Sequence, residues 1–454
     1  MQTAPATRHG LSADEARALA RKVLGFARAD HTRVNIDSGL SGFTRVAINR
    51  ITTAGEATDV TVQVTSVFGK RVASVETNRL DDESLRRAVG DAETLAKLAP
   101  ENPEYLPELG EQTYLDAGGY YQATGNLTTE ARAESAALGI AAAERAGAVA
   151  AGFIDMRAGS TAVATSNGLF AYRAGTGVAS TLTIRTRDGQ SSGWAGDEGA
   201  DWTTIESARI ADDALRKCND WRGKTTLEPG KYDVVLEPTA VGMLLSRLPP
   251  VFDARQADEG RSYFAKRGGG NRLGETLFDS RVTIRSHPAE PNAETDPFNG
   301  AGLPVGPEVW IENGVLKTLS YTRFWAMKQG VPPRSGPTNL IMSGGDATLE
   351  DMIASVKRGV LITRFWYIRP LNPRTVAFTG LTRDGTFLIE NGRISRPVTN
   401  FRFNQSLMDL LANVEMVGRA TRVAAEESGS TGTPVVMPAL KVRGFTLSSV
   451  SDAI

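Results

Sequence analysis

Lys231-Tyr232-Asp233-Val234-Val235-Leu236-Glu237-Pro238-Thr239-Ala240-Val241-Gly242-Met243-Leu244-Leu245 reads as a strand feeding a helix that opens at Pro238. Proline suits the first helical position, where its missing N–H would have no partner anyway. Val241, Leu244, Leu245 and Leu248 then fall at i, i+3, i+4 and i+7, a stripe that turns toward a core. The helix start itself carries no metal ligand.

Working back toward the N-terminus, the pattern is helix, meander, helix. Ser12 with Glu15 forms a capping-box signature, and Leu19, Val23, Leu24 and Phe26 stripe a helix over 16–29. Strands are expected at 34–38, 44–52, 59–68 and 70–77; in the third, Val60, Val62 and Val64 alternate with polar residues, as on a half-buried sheet. Asp81-Asp82-Glu83 supplies acid to the first turn of a second helix that runs to about Leu98. After a Pro-, Glu- and Tyr-rich connector over 100–119, Thr128 or Thr129 caps an Ala-rich helix. Strands at 149–157, 160–166, 169–172 and 178–187 follow, with Asn167-Gly168 as a type I′ hairpin signal, then a helix near 205–218.

Beyond Pro229-Gly230 the chain turns strand-rich, with many Gly and Pro turns and few helices. Asn313-Gly314 and Asn391-Gly392 sit in two Ile-Glu-Asn-Gly phrases whose flanks differ, so they are a reused hairpin device and not an internal repeat. Short helices are expected at 349–359 and 407–417, and a last strand near 439–445. The implied organisation is α+β in three parts: a helix–strand module (1–118), a middle α/β segment (119–229) and a β-rich C-terminal domain (230–454).

With 454 residues there is chain for two or three domains and a sizeable core. A net charge of -1 argues against a nucleic-acid binder that works through a basic face. The single cysteine, Cys218, rules out an internal disulfide or a cysteine-cluster metal site and fits a reducing compartment. Residues 1–10 lack the apolar stretch of a signal peptide, and no run approaches the ~20 apolar residues that span a bilayer. A cytoplasmic protein is the expectation.

Several local patterns mimic catalytic motifs. Gly189-Gln190-Ser191-Ser192-Gly193 matches G-x-S-x-G, but the Gly-rich stretch after it makes a poor helix, and the nucleophile elbow needs one. Gly268-Gly269-Gly270-Asn271 lacks the Gly-Lys-Ser/Thr ending of a phosphate loop and reads as a flexible turn beside Lys266, Arg267 and Arg272. His9, His31 and His287 are scattered; the acidic loop around His287, and Asp253, Asp258 and Glu259, show no known ligand spacing.

A set of short phrases, in order and spacing, resembles the TldD/PmbA (TldD/TldE) family of zinc-dependent peptidases. They are Lys231–Leu236, Gly274–Asp279, Asp296–Pro304, Pro337–Leu340, Gly359–Phe365, Asn372-Pro373, Phe387–Gly392 and Pro397–Asn400. The resemblance implies an α/β N-terminal portion with a mixed or antiparallel sheet and a C-terminal, strongly curved, barrel-like antiparallel sheet. Metal-bearing members open the helix at this point with His-Glu-x-x-x-His and add a cysteine near the C-terminus. Here Pro238 and Met243 stand at the histidine positions, Thr239 stands at the glutamate, and no cysteine follows Cys218. Neither Pro nor Met replaces an imidazole on Zn²⁺, and Thr is no carboxylate base. The resemblance therefore implies a metal-free TldE/PmbA-type subunit, without catalytic residues or a cofactor of its own. Zinc is expected only in a TldD-type partner, and the pair digests unfolded peptide held by strand addition. Arg364, Phe365, Trp366 and Tyr367 are the candidate substrate wall, and 321–325 is a second aromatic candidate, each equally readable as core. The alternative reading is a stand-alone homodimeric peptide-binding or interaction protein, of the DNA gyrase or toxin-modulator type.

Overall fold

The structure, a computed structural model, describes residues 9–451. Residues 1–8, part of the stretch read above for a signal peptide, lie outside the described residues. The fold is mixed α+β with two sheets. The first is six-stranded and antiparallel: β1 (His31–Ala47), β2 (Arg50–Phe68), β3 (Arg71–Thr77), β4 (Val149–Thr165), β5 (Phe170–Arg185) and β6 (Ser192–Gly199). Its order is β3-β2-β1-β4-β5-β6, so strands from both sides of the 100–119 connector share one sheet through β1 and β4.

Alternation decides which face of this sheet is covered. Val34, Ile36, Leu40 and Val46 of β1 point to one side and are buried. On that side pack α1 (Ala13–Leu24), α2 (Asp82–Leu98), α3 (Gln122–Gly125), α4 (Thr129–Arg145) and α5 (Ser207–Asp220). The Ser12/Glu15 box is reciprocal and Thr128 accepts the Ala131 N–H, as the sequence signals, while Asp81, read above as first-turn acid, is itself the cap and accepts the Ser84 N–H. Each such cap stabilises its helix by about 1 kcal/mol. The opposite face of β1, carrying Asp37, Gly39 and Ser41, is left uncovered by helices.

The strands are longer than the sequence suggests. The expected breaks at 39–43, 158–159 and 173–177 are instead continuous strand, because their glycines lack the side chains that signal a strand but pair normally. The 44–52 strand contains the hairpin turn: Ile48 and Asn49 have φ of 52° and 57°. Asn167-Gly168 is not type I′, since only Gly168 has positive φ, whereas Asn313-Gly314 and Asn391-Gly392 have both residues positive. The first helix starts at Ala13 and stops at Leu24, earlier than its stripe implied.

The second sheet is built from β7 (Gly230–Leu236), β8 (Ile284–Ser286), β9 (Glu308–Glu312), β10 (Val315–Leu316) and β11 (Leu340–Met342). It continues with β12 (Arg358–Asn372), β13 (Ala377–Glu390), β14 (Arg393–Pro397), β15 (Asn400–Ser406), β16 (Val414–Arg422) and β17 (Val435–Ser451). It departs from the antiparallel sheet expected above: β12 runs parallel to β7, and β11 parallel to β17. The path β7-β12-β13-β15-β17 returns to β7, because β17 also pairs with β7. The 349–359 helix stops at Ala354, the 407–417 helix at Ala412 where β16 takes over, and the last strand runs well beyond 439–445 on both sides.

The sharp strand-to-helix turn at Leu236 delivers α6 (Pro238–Leu245) into the main apolar core. Val241, Leu244, Leu245 and Leu248 are buried as their spacing requires, and so are Ala240, Gly242 and Met243. No helix among the described residues is long and apolar enough to cross a membrane.

Candidate functional site

The uncovered face of the first sheet is the floor of a groove of about 1110 Å³. That exceeds the ~300–1,000 Å³ usual for small-molecule sites. Asp37, Gly39 and Ser41 of β1 lie beside Arg157, Gly159 and Thr161 of β4 and Arg173, Gly175 and Gly177 of β5. Gly39, Gly159 and Gly175 are in register, a row without side chains across three strands. The backbones pinch there: a Cβ on Gly159 would stand 2.2 Å from the Ser38 carbonyl oxygen, and one on Gly39 2.6 Å from that of Ala158. No other residue type fits either position.

The rim comes from the C-terminal half: 292–298, Pro337-Thr338, Arg422 and Thr431–Pro434. Carboxylates from the first sheet stitch this rim in place. Asp155 accepts both the Thr431 N–H and its hydroxyl at 2.9 Å, and Glu198 accepts the Gly432 N–H at 3.1 Å and Arg422 Nη2 at 2.7 Å. Burial pushes the Glu198 carboxyl up, against the pull of the Arg422 guanidinium. Burial, then the Glu294 hydrogen bond at 2.5 Å, pushes the Tyr121 phenol up to about 12. Asp37 is likewise raised by burial, with the Thr161 hydroxyl opposing. Asp37, Thr161, Glu198, Glu294, Arg422 and Thr431 give the groove a polar, hydrogen-bonding lining of hydroxyls, carboxylates and an arginine.

Strand addition is not available on this floor, since β1 and β4 are already paired on both sides. An extended ligand in the groove lies on the sheet face and meets side-chain hydroxyls and rim loops instead.

α6 adjoins the same rim segment from another direction. A Cβ on Gly242 would stand 2.6 Å from Val423 Cγ2, with Val435 and Ala425 next, so these three residues of the rim segment lie directly on the helix. Pro238 and Thr239 are half-buried, Met243 is 1% exposed within the apolar core, and none of the three lines the groove. The donor set there does not fit a zinc ion: a pyrrolidine ring, a hydroxyl and a thioether supply neither imidazole nor thiolate. Among the described residues no group of three or more His, Cys, Asp or Glu is placed to hold a metal.

The other sequence candidates are occupied by structural work. Arg364 is 4% exposed and pairs with Asp384 at 3.3 Å, with its guanidinium over Trp194 at 4.4 Å. Asp384 also accepts the Ser192 hydroxyl at 2.6 Å, so this cluster joins β6 to β12 and β13. Burial pulls the Arg364 pKa down to about 10. Phe365 is fully buried against Phe403 and Phe445. Of the four wall candidates, Trp366 is half-buried and only Tyr367 is exposed. Tyr321 and Trp325 belong to the core. Ser191 is buried, donates to the Cys218 carbonyl oxygen at 2.5 Å and precedes a strand, so it forms no nucleophile elbow. Asp253 caps a short helix, Asp258 accepts Trp325 Nε1, and Glu259 pairs with Arg255 and Arg261. His287 Nδ1 accepts the Ala289 N–H. Beside the Gly268–Gly270 turn, Lys266 and Arg272 both pair with Glu275.

The groove residues escaped the sequence reading. Their signal is the glycines at alternate positions of strands (Gly39, Gly159, Gly175, Gly177), with Asp37 and Glu198 pointing to an uncovered face.

Comparison with known proteins agrees with this architecture. Residues 229–449 match the PmbA/TldA metallopeptidase C-terminal domain. A metalloprotease of Methanothermobacter thermautotrophicus is 25% identical over 226 residues, 45% of this chain and 47% of that protein. A zinc metalloprotease TldD homolog of Saccharolobus solfataricus is 23% identical over 256 residues, 51% of this chain and 55% of that protein. The alignments thus span about half the length of these curated relatives. In structure, TldE of Thermococcus kodakarensis superposes with a TM-score of 0.82 over 95% of this chain and 99% of that one, at 19% identity, which is a likeness of fold. With the β7–α6 turn, the C-terminal domain and the ordered phrases all in agreement, this chain carries the C-terminal domain of the TldD/PmbA family over residues 229–449.

Proposed function

We propose that this chain is the non-catalytic, metal-free subunit of a TldD/TldE-type zinc metallopeptidase that degrades or processes unfolded peptides. The observation that carries the reading is α6. It keeps its strand-to-helix turn, its proline start and its packing, while Pro238, Thr239 and Met243 replace the groups that would bind and use a metal. A decaying enzyme has no reason to retain so well packed a helix; a scaffold that serves another subunit's metal does. The groove is the surface on which substrate lies, on a glycine row low enough for a polypeptide backbone to approach.

In this reading residues 1–118 and 119–229 together supply the groove floor and 230–454 its rim, with the β7-β12-β13-β15-β17 path as a curved, barrel-like support. The partner is a metal-bearing TldD-type subunit, and the lone, buried Cys218 favours a reducing, cytoplasmic setting.

The test is co-purification with a His-Glu-x-x-x-His relative followed by cleavage of an unfolded peptide. Cleavage is expected only from the pair, and chelator abolishes it. Cleavage by the isolated, metal-free chain would overturn the proposal, and a stable homodimer that ignores the relative would favour a stand-alone binding protein.

A further inference from the structure

Between its two groove-lining parts, Arg422 and Thr431–Pro434, the rim segment is fastened by Glu427. Its carboxylate accepts two successive backbone N–H groups, Tyr367 to Oε2 at 3.1 Å and Ile368 to Oε1 at 2.8 Å. Both amides are free of the β12–β13 ladder because the register breaks between Trp366 and Arg369, where Tyr367 takes φ of 56°. Two guanidinium groups flank the carboxylate, Arg247 at 3.6 Å and Arg369 at 3.7 Å. Those separations are ion pairs without a hydrogen bond. Arg247 Nε is buried with no partner, and Arg369 Nη1 donates to the Ile368 carbonyl oxygen at 2.8 Å.

The site therefore holds more donors than Glu427 uses. Adjacent backbone amides backed by arginine are the arrangement by which proteins capture a free carboxylate. Its edge is open to solvent, where Tyr367 and the Arg369 side chain are each 51% exposed, while the Glu427 side chain is 16% and Ile368 3% exposed. It is also next to the helix that matters: Arg247 follows the end of α6 by two residues.

We propose that the Tyr367 and Ile368 amides with Arg247 and Arg369 form a binding site for the C-terminal carboxylate of an extended peptide, and that Glu427 is its internal occupant. The inference rests on the reading of this chain as a peptide-handling subunit. An incoming terminal carboxylate takes the two amides and the unused Arg247 donors, and Glu427 leaves to water. The rim segment is then detached from β12 while Thr431 and Gly432 stay tied to Asp155 and Glu198.

The experiment uses the isolated chain and an N-acetylated trialanine probe, once with a free C-terminal carboxylate and once as its amide. Glu427→Gln removes the competing charge at nearly constant volume, and calorimetry is expected to show the free-acid probe binding about tenfold tighter than to wild type. The amide probe is expected to be unaffected. Adding Arg247→Ala in that background is expected to weaken the acid probe by about tenfold. As a check that needs no variant, proteolysis of wild type within 423–434 should speed up with the acid probe and not with the amide. Equal binding of acid and amide to Glu427→Gln, or equal proteolysis with both probes, overturns the proposal. No partner subunit is present in these measurements, so they stand or fall separately from partner-dependent cleavage.

Discussion

α6 and the groove floor meet the same rim segment, yet they are built on opposite principles. The helix is apolar on every side, with Ala240 to Leu245 all buried and Val423, Ala425 and Val435 pressed onto it. The floor is a sheet face stripped of bulk, where Gly39, Gly159 and Gly175 leave hydroxyls and carboxylates to line the space. One region is filled with apolar side chains; the other is kept open. The contrast teaches that one rim segment is held by apolar packing on its helix side and by hydrogen bonds to carboxylates on its groove side.

The largest expected effect breaks the frame that holds floor and core together. Asp384→Ala leaves Arg364 charged and unpaired in the interior, at a cost of about 3–5 kcal/mol in urea unfolding. A loss below 1 kcal/mol would mean that the β6 to β12 and β13 connection is not held by this pair. Next, rebuilding the motif with Pro238→His, Thr239→Glu and Met243→His is expected to bind no zinc, measured by elemental analysis, since the C-terminal cysteine is also missing. The buried imidazole at position 243 alone should cost about 1–3 kcal/mol. Stoichiometric zinc in the rebuilt protein would show that α6 is less filled than its burial implies.

The floor gives the converse result. Ser41 is exposed on the groove floor, so Ser41→Trp is expected to change stability by less than about 0.5 kcal/mol. It should nevertheless reduce partner-dependent peptide cleavage about tenfold, or ~1.4 kcal/mol. Unchanged cleavage would remove the groove from the substrate path. The smallest effect is in acid. The Arg132 hydrogen bond holds the Glu56 carboxyl below its ordinary value of 4.5. A depressed carboxylate adds stability that is fully present above that value and is lost as pH falls through the folded pKa. Glu56→Gln should therefore be less stable than wild type at neutral pH, by about 1 kcal/mol or less at a partly exposed site. The two proteins should converge in acid unfolding well below pH 4.5.

Much of the fold was readable because local signals agreed. The Ser12 and Thr128 caps, the acidic helix start at 81–83, the Pro238 start and the Val60–Val64 alternation each became the element they announce. The readings that missed did so where glycine carries structure without a side-chain pattern. β1, β4 and β5 were cut at Gly39, Gly159 and Gly175, and those same glycines made the groove invisible. Arg364 and Phe365 were offered to substrate because an aromatic strand with interleaved arginine looks the same whether it faces a chamber or a core. Their burial comes from β6 and from Phe403 and Phe445, all distant in sequence.

The sequence by itself determined the helix at Pro238, its apolar stripe and the absence of imidazole, carboxylate and thiolate at positions 238, 239 and 243, because residue identity alone decides what a side chain can ligate. Only the tertiary structure decided where the open surface lies. That depends on which of two faces of a twisted sheet the helices cover. It depends equally on which distant loop brings Glu427 to the amides of Tyr367 and Ile368, a long-range contact that leaves no periodic trace in the chain.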